Sequence, residues 1–216
     1  MSNLKSIAES VVEGDDKKVE ELTKRAIADG VGIAKILDDG LIAGMETIGE
    51  LFGRKEAFVP ELLLSARAMQ AGMKLLEPLL VGSGIKPIGK VALGTVKGDI
   101  HNIGKDLVGI MLKGAGFEII DLGVDVPPEK FIDTVRAGGI DIVGMSALLT
   151  TSMSMMKTTI EALDTAGLRK QVKIIIGGAV VTQDYAESIG ADGYGANAAE
   201  AANRAKKLLG LKGDQK

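Results

Sequence analysis

The stretch KVALGTVKGDIHNIGKD, residues 90–106, decides the fold. Lys90 to Val96 is a short, mostly apolar run that reads as a buried strand. It passes directly into the glycine-bearing turn GDIHNIG. A helical run from Ile103 to Lys113 follows. A strand, a tight turn and a helix in that order open a βα unit.

The same grammar repeats downstream. Phe117 to Leu122 predicts a strand and Pro128 to Ala137 a helix. Ile140 to Ser146 is the next strand, followed by a helix over Ser152 to Ala166. Val172 to Ile176 is a fourth strand, with a helix over Thr182 to Ile189. A short strand near Gly193 and a helix from Ala198 to Leu209 complete the series. IDIVGM and VKIIIGG are continuous apolar runs, as expected of strands covered on both faces. Five βα units predict an α/β fold of flavodoxin-like type, a doubly wound parallel five-stranded sheet. Ligands of such sheets sit at the carboxyl ends of the strands, beside the switch point. The turn carrying His101 lies at that end.

Upstream of Lys90 the pattern changes. VGSGIKP, residues 81–87, carries two glycines, a serine and a proline, and reads as a linker. Before it the apolar residues fall at helical spacing: Val19, Leu22, Ala26 and Ile27, then Ile33, Ile36, Leu37, Leu41, Met45 and Ile48. Pro60 suits the first turn of a helix running from Glu61 to Leu80. Its apolar side is expected along Leu63, Ala66, Gln70, Met73 and Leu76. Four or five antiparallel helices are the natural packing. The expected domains are therefore a helical bundle over 1–83 and the α/β domain over 84–216.

Composition excludes several functions. In 216 residues, 26 Lys and Arg face 29 Asp and Glu, a net charge of −3, so there is no basic footprint for nucleic acid or membrane. With no Cys and a single His, disulfides, thiol nucleophiles and multi-ligand His/Cys zinc sites are ruled out. Aromatics make up 3%, too few for base stacking. There is no apolar leader and no run approaching the roughly 20 apolar residues of a membrane helix, so the cytoplasm is the expected compartment.

A lone histidine is most often a solvated loop residue. Three features single out His101. Asp99, two residues before it, can hold the ring and fix its tautomer. Gly98 and Gly104 allow tight turns and close approach. The position is the ligand mouth of the sheet. A phosphate loop does not fit, because five residues separate Gly98 from Gly104-Lys105 and Asp106 stands where Ser or Thr is needed. GxGxxG does not occur at this turn. The other strand ends are rich in small and hydroxyl residues: Ser146, Thr150, Thr151, Ser152, Gly177 and Gly178, and the turn GYGANAAEAA. Helix capping and ordinary loop glycines would account for each singly. Together they suggest a slot for a large flat or extended ligand.

The motif Asp99-x-His101-x-x-Gly104 is followed 41 residues later (105–145) by Ser146-x-Leu148, and 28 residues after that (149–176) by Gly177-Gly178. This three-part pattern resembles the cobalamin-binding module of the methyltransferase corrinoid proteins and of cobalamin-dependent methionine synthase. LFGRKEAFVPELLLSARAM in the helical half resembles the cap segment of the same family.

The resemblance implies the following roles. His101 replaces the cofactor's own base as the lower axial ligand of cobalt. Asp99 hydrogen-bonds its ring, and Ser152 extends that relay, although Thr151 stands where the family has proline. Gly98, Ile100, Asn102 and Gly104 complete the cofactor-binding loop. Ser146 and Thr150 contact the nucleotide tail, Leu148 is a further cofactor-binding residue, Gly177 and Gly178 line the tail's slot, and Asn197 and Ala198 form the far side. On the cap, Phe52, Val59 and Leu62 cover the upper face, with ordinary bundle core as the competing reading; Asp38 offers a polar contact.

The implied cofactor is cobalamin or a related corrinoid, cycling between methylcob(III)alamin and cob(I)alamin. The implied activity is methyl carriage rather than catalysis by a complete substrate site. One partner is a substrate-specific methyltransferase. A second methyltransferase acts on coenzyme M or tetrahydrofolate, and a reductive activase is a third partner. Nucleic acid and membrane are not expected partners. The competing reading is a cobalamin-dependent sensor acting through a partner. It is disfavoured because no DNA-binding segment precedes residue 1 and only seven residues follow Leu209. A mutase small subunit is disfavoured by the helical half.

Overall fold

The computed structural model describes residues 3–80 and 84–211. Part of the expected linker, residues 81–83, lies outside the described residues. The chain divides into two compact units. One comprises residues 1–86 with 114–116, the other residues 87–113 with 117–216.

The first unit is helical. Its elements are α1 (Asn3–Glu13), α2 (Asp16–Ala28), a continuous run over 33–53, and α5 (Val59–Leu80). The run over 33–53 consists of α3 (Ile33–Lys35), a π-helical segment (Ile36–Ile42) and α4 (Ala43–Gly53). The break between α1 and α2 is chemically plain. Gly14 adopts φ +72°, which an L side chain rarely tolerates. Asp15 then caps α2 by accepting the Lys18 N–H at 3.0 Å.

Of the face its spacing predicts, α5 buries Leu76 fully, but most of its buried residues lie on the adjacent stripe. Leu62, Ser65, Ala68, Met69, Gly72 and Leu76 are buried, whereas Leu63 is 47% exposed and Gln70 is exposed. Two adjacent stripes of this helix are apolar, and side-chain size chooses between them. A Cβ on Gly72 would lie 2.6 Å from Leu41 Cδ2 and 3.1 Å from Val19 Cγ1. The stripe with small residues therefore admits its neighbours closely, and burial follows close packing.

The second unit is the expected sheet. Its strands are β1 (Lys90–Val96), β2 (Glu118–Val126), β3 (Ile142–Ser146), β4 (Lys173–Gly177) and β5 (Gly193–Gly195). They pair in parallel in the order β2-β1-β3-β4-β5. The helices between them are α6 (Ile103–Gly114), α7 (Pro128–Arg136), α8 (Thr150–Thr165) and α9 (Gln183–Ser188), with α10 (Ala198–Leu208) last. β2 runs four residues past the expected end at Leu122, with register shifts against β1 around Gly94. The core packs Ala92, Val96, Val143, Met145, Ile174 and Ile176 of the sheet with Phe131, Met156, Ile160 and Leu163 of α7 and α8. The register aligns Thr95, Ser146, Gly177 and Gly195 as successive neighbours across the carboxyl edge. No helix among the described residues is long and apolar enough to cross a membrane.

Gly72→Ala is expected to lower stability by about 1–3 kcal/mol through overpacking, read as the urea midpoint of the full chain. At a solvated helix position the same change would gain about 1 kcal/mol. A raised midpoint would contradict the close approach at Gly72.

Candidate functional site

β1 and β3 are neighbours whose chains leave the sheet toward different helices, and their outgoing loops face each other at the switch point. The β1 loop turns at Gly98, where φ is +83°. Thr95, fully buried, donates its hydroxyl to the His101 carbonyl at 2.9 Å and draws the loop back over the strand end.

Asp99 is the centre of the site, with 0% exposure. Its Oδ1 accepts from His101 Nδ1 at 2.7 Å and from the His101 backbone N–H at 3.1 Å. Its Oδ2 accepts from the N–H groups of Leu148 (2.7 Å) and Leu149 (3.1 Å) and from the Ser152 hydroxyl (2.9 Å). The Leu148 and Leu149 amides stand at the start of α8, which has no side-chain cap of its own. Asp99 therefore caps that helix from the neighbouring loop, where the helix dipole favours a negative charge.

Burial by itself pushes the Asp99 carboxyl up. The hydrogen bonds from the His101 ring and backbone, the Leu148 N–H and the Ser152 hydroxyl outweigh it and hold the group well below the usual carboxylate range. An ionised carboxylate only accepts, so Nδ1 carries a proton toward Asp99, and in the neutral ring Nε2 is the nitrogen with the lone pair. The His101 side chain is 48% exposed. One basic nitrogen is thus presented outward on a fixed ring.

The neighbouring positions in sequence and strand order expose large apolar side chains. Ile100 and Ile103 are 75% and 73% exposed. Val124, Leu148 and Leu149 also expose much of their surface. These exposed apolar side chains come from the loops and elements at the carboxyl end of the sheet. The arrangement suits a broad, flat, apolar ligand with a central metal short of one donor. A cobalt corrinoid has that shape and need. Its ring supplies four donors, and among the described residues no group of three or more His, Cys, Asp or Glu is arranged to hold a bare ion. The residues present fit it.

The remaining expected residues are placed as follows. Asn102 donates to Asp106 Oδ2 at 2.9 Å and steadies the start of α6. A Cβ on Gly104 would meet nothing within 4 Å, so that surface is open. Ser146 ends β3 and Thr150 opens α8, exposed. The glycines of the expected slot have a cause within the protein itself. A Cβ on Gly177 would lie 2.8 Å from the Gly195 carbonyl, and one on Gly178 would lie 1.9 Å from the Ala147 carbonyl. Their smallness is required by backbone packed against backbone. Asn197 is the cap of α10, accepting the Glu200 N–H at 2.9 Å, and Ala198 is buried. In the helical unit, Phe52 and Val59 are half-buried and Leu62 fully buried. The exposed large apolar residues of that stretch are Phe58, Leu63 and Leu64. Asp38 lies in the π-helical segment, where burial, then the charges of Asp39 and Glu46, push its carboxyl up.

Sequence reasoning missed Thr95, Asp125 and the two leucine amides. Thr95 carries a faint signal as a hydroxyl at the last turn of a buried strand. Backbone amides carry none.

Comparison with known proteins adds independent observations. Residues 89–203 match a family model described as B12 binding domain, and residues 4–77 match a second model of that description. The trimethylamine corrinoid protein of Methanosarcina barkeri is 43% identical over 205 residues, covering 94% of each chain. A cobalamin-binding protein from Desulfitobacterium hafniense superposes with a TM-score of 0.81 at 31% identity, over 96% of this chain and 99% of that one. The methanol:cobalamin methyltransferase complex MtaBC from M. barkeri contains a chain matched with a TM-score of 0.84 at 31% identity, over 96% of this chain and 80% of that one.

His101 is the sole histidine, so its ring nitrogens can be read by NMR without assignment. At a pH where the ring is neutral, the cofactor-free protein is expected to carry its ring proton on Nδ1, facing Asp99. Asp99→Ala is expected to release it into a mixture of both tautomers. The same tautomer population in both proteins would contradict the Asp99 contact.

Proposed function

The chain belongs to the B12-binding corrinoid protein family, and on that premise we propose that it carries methyl groups on a bound corrinoid between two methyltransferases. The first loads it from a methylated amine; the second passes the methyl group to coenzyme M or tetrahydrofolate. The amine is supported by the likeness to a trimethylamine corrinoid protein. A separate loading enzyme is supported by the related chain found in a complex with a methanol methyltransferase. A reductive activase is the third proposed partner.

One observation carries the reading. A single imidazole stands at the switch point beside the exposed Ile100, its Nδ1 held by a fully buried carboxylate. When bound, the corrinoid supplies a cobalt centre able to accept and release a methyl group. His101 Nε2 is the proposed lower donor. Asp99 holds the Nδ1 proton, which keeps the ring oriented and makes Nε2 a better donor. Ser152 and the α8 amides keep Asp99 ionised, so that it goes on accepting from the ring.

Ser146, Thr150, Gly177, Gly178, Asn197 and Ala198 are the proposed surroundings of the nucleotide tail. They lie at the carboxyl ends of β3 and β4 and at the starts of the helices that follow β3 and β5, and the register makes Ser146 and Gly177 direct neighbours. In the helical unit Phe52 and Val59 are the proposed corrinoid contacts. Leu62 is assigned a place in the core of α5.

The test loads the full chain with hydroxocobalamin and removes excess by desalting. The loaded protein is then supplied with trimethylamine or dimethylamine, a methyltransferase for that amine, a reductant and a coenzyme M or tetrahydrofolate methyltransferase. Retention near one corrinoid per chain and methyl transfer dependent on this protein are expected. His101→Ala is expected to retain corrinoid and to slow transfer by about tenfold or more. Folded wild-type protein that retains no corrinoid would overturn the proposal.

A further inference from the structure

Asp125 sits at an irregularity with no use in the sheet itself. β2 shifts register against β1, pairing Leu93 with Asp121, Gly94 with Gly123 and Val96 with Val126. Gly123 has φ +87° and Asp125 φ +52°. The second value is a left-handed conformation that disfavours non-glycine residues, although Asp tolerates it better than most. Glycine would fit that backbone without strain, so the side chain must be worth keeping.

That side chain reaches the metal-ligand loop. Asp125 Oδ1 accepts the Gly98 N–H at 2.7 Å. The Asp125 N–H donates to the Asp99 carbonyl at 2.9 Å. One residue therefore clamps the peptides on either side of the Gly98–Asp99 bond. The Asp99 backbone is held by Asp125, while its carboxylate holds His101. The near end of the irregularity is anchored too. Lys105, 3% exposed, donates to both oxygens of Asp121 at 2.8 and 2.7 Å and to Asp106 at 2.6 Å. Asp121 Oδ1 also accepts the Gly123 N–H at 2.9 Å. The segment 121–125 is thus fixed at both ends, one on α6 and the other on the His101 loop.

We propose that Asp125 is a positioning residue for His101: by clamping the Gly98–Asp99 backbone it sets the aim of the Asp99 carboxylate, and so how firmly the ring is presented as cobalt ligand. This rests on the assignment of His101 made under the proposed function. A purely structural clamp would alter the stability of the protein and leave ligation by the folded, loaded protein unchanged. The positioning role alters ligation itself.

The experiment measures, at one fixed pH, the fraction of retained cobalamin with histidine bound, by absorption of the loaded full chain. Unfolding midpoints are recorded beside it. Asp125→Gly removes the acceptor while keeping the backbone conformation free of strain. It is expected to lower the histidine-bound to histidine-free ratio about fivefold, the effect of one lost hydrogen bond. Asp125→Asn keeps a neutral acceptor and is expected to lower the ratio about twofold. A ratio in Asp125→Gly equal to wild type, with cobalamin retained, overturns the positioning role whatever happens to the midpoint. Should Asp125→Gly fail to fold, Asp125→Asn decides: a twofold fall supports the role and an unchanged ratio overturns it. If wild type itself matches His101→Ala in spectrum, the ligand assignment has failed, and the role of Asp125 falls with it. That outcome is recognised from wild type alone.

Discussion

A carboxylate with no solvent exposure organises this protein's site. Removing a charged Asp from water costs several kcal/mol unless its oxygens are satisfied. Asp99 meets that demand with five donors: the His101 ring and amide, the amides of Leu148 and Leu149, and the Ser152 hydroxyl. Two belong to its own loop and three to the start of α8. Losing any one would leave a buried charge short of a partner, so the loop and the helix are committed to each other. The ring of His101 is held as part of that arrangement, which explains how a half-exposed side chain can have a fixed aim.

The sheet order makes the arrangement available. With β1 and β3 adjacent and Thr95 opposite Ser146, groups about 50 residues apart in sequence meet at the strand ends. An ordering that put β2 between them would separate Asp99 from α8. The glycines at the ends of β4 and β5 belong to the same constraint. Gly178 lies against the Ala147 carbonyl, so the β4 end packs directly beside the residue that leads into Leu148. The small residues of this edge let backbones pack closely, and the close packing gives the loops their places.

Much of this was legible in the sequence, for identifiable reasons. Strand and helix order followed from apolar runs and turn residues, because a parallel sheet buried on both faces leaves little choice of pattern. Asp99 and His101 were legible because two residues of spacing on one turn suffice for contact. Ser152 was reached only through a family resemblance, since a 53-residue separation carries no local signal. Leu76 apart, the buried face of α5 lies one residue from the expected one, because hydropathy alone does not register that Gly72 lets Leu41 and Val19 come close. The glycines expected at the slot have a second role that the sequence did not show: a Cβ on Gly177 or Gly178 would meet the Gly195 or Ala147 carbonyl. Asp125 was not found, since its role depends on a register shift in β2 that alternation of residue types does not encode. The leucine amides were invisible for the plainest reason: every residue but proline has one.

The central claim is that His101, steadied by Asp99, supplies a nitrogen to cobalt, and the composition offers a direct test. Since the chain has one histidine, labelling with 15N-histidine changes one candidate ligand atom per ring position and no other protein group. The measurement is the electron paramagnetic resonance spectrum of the protein loaded with cob(II)alamin, prepared with and without the label. The account predicts that each cobalt line splits into three with natural nitrogen and into two with 15N-histidine. A splitting pattern that ignores the label would place another nitrogen, or none, on the metal, and would contradict the account.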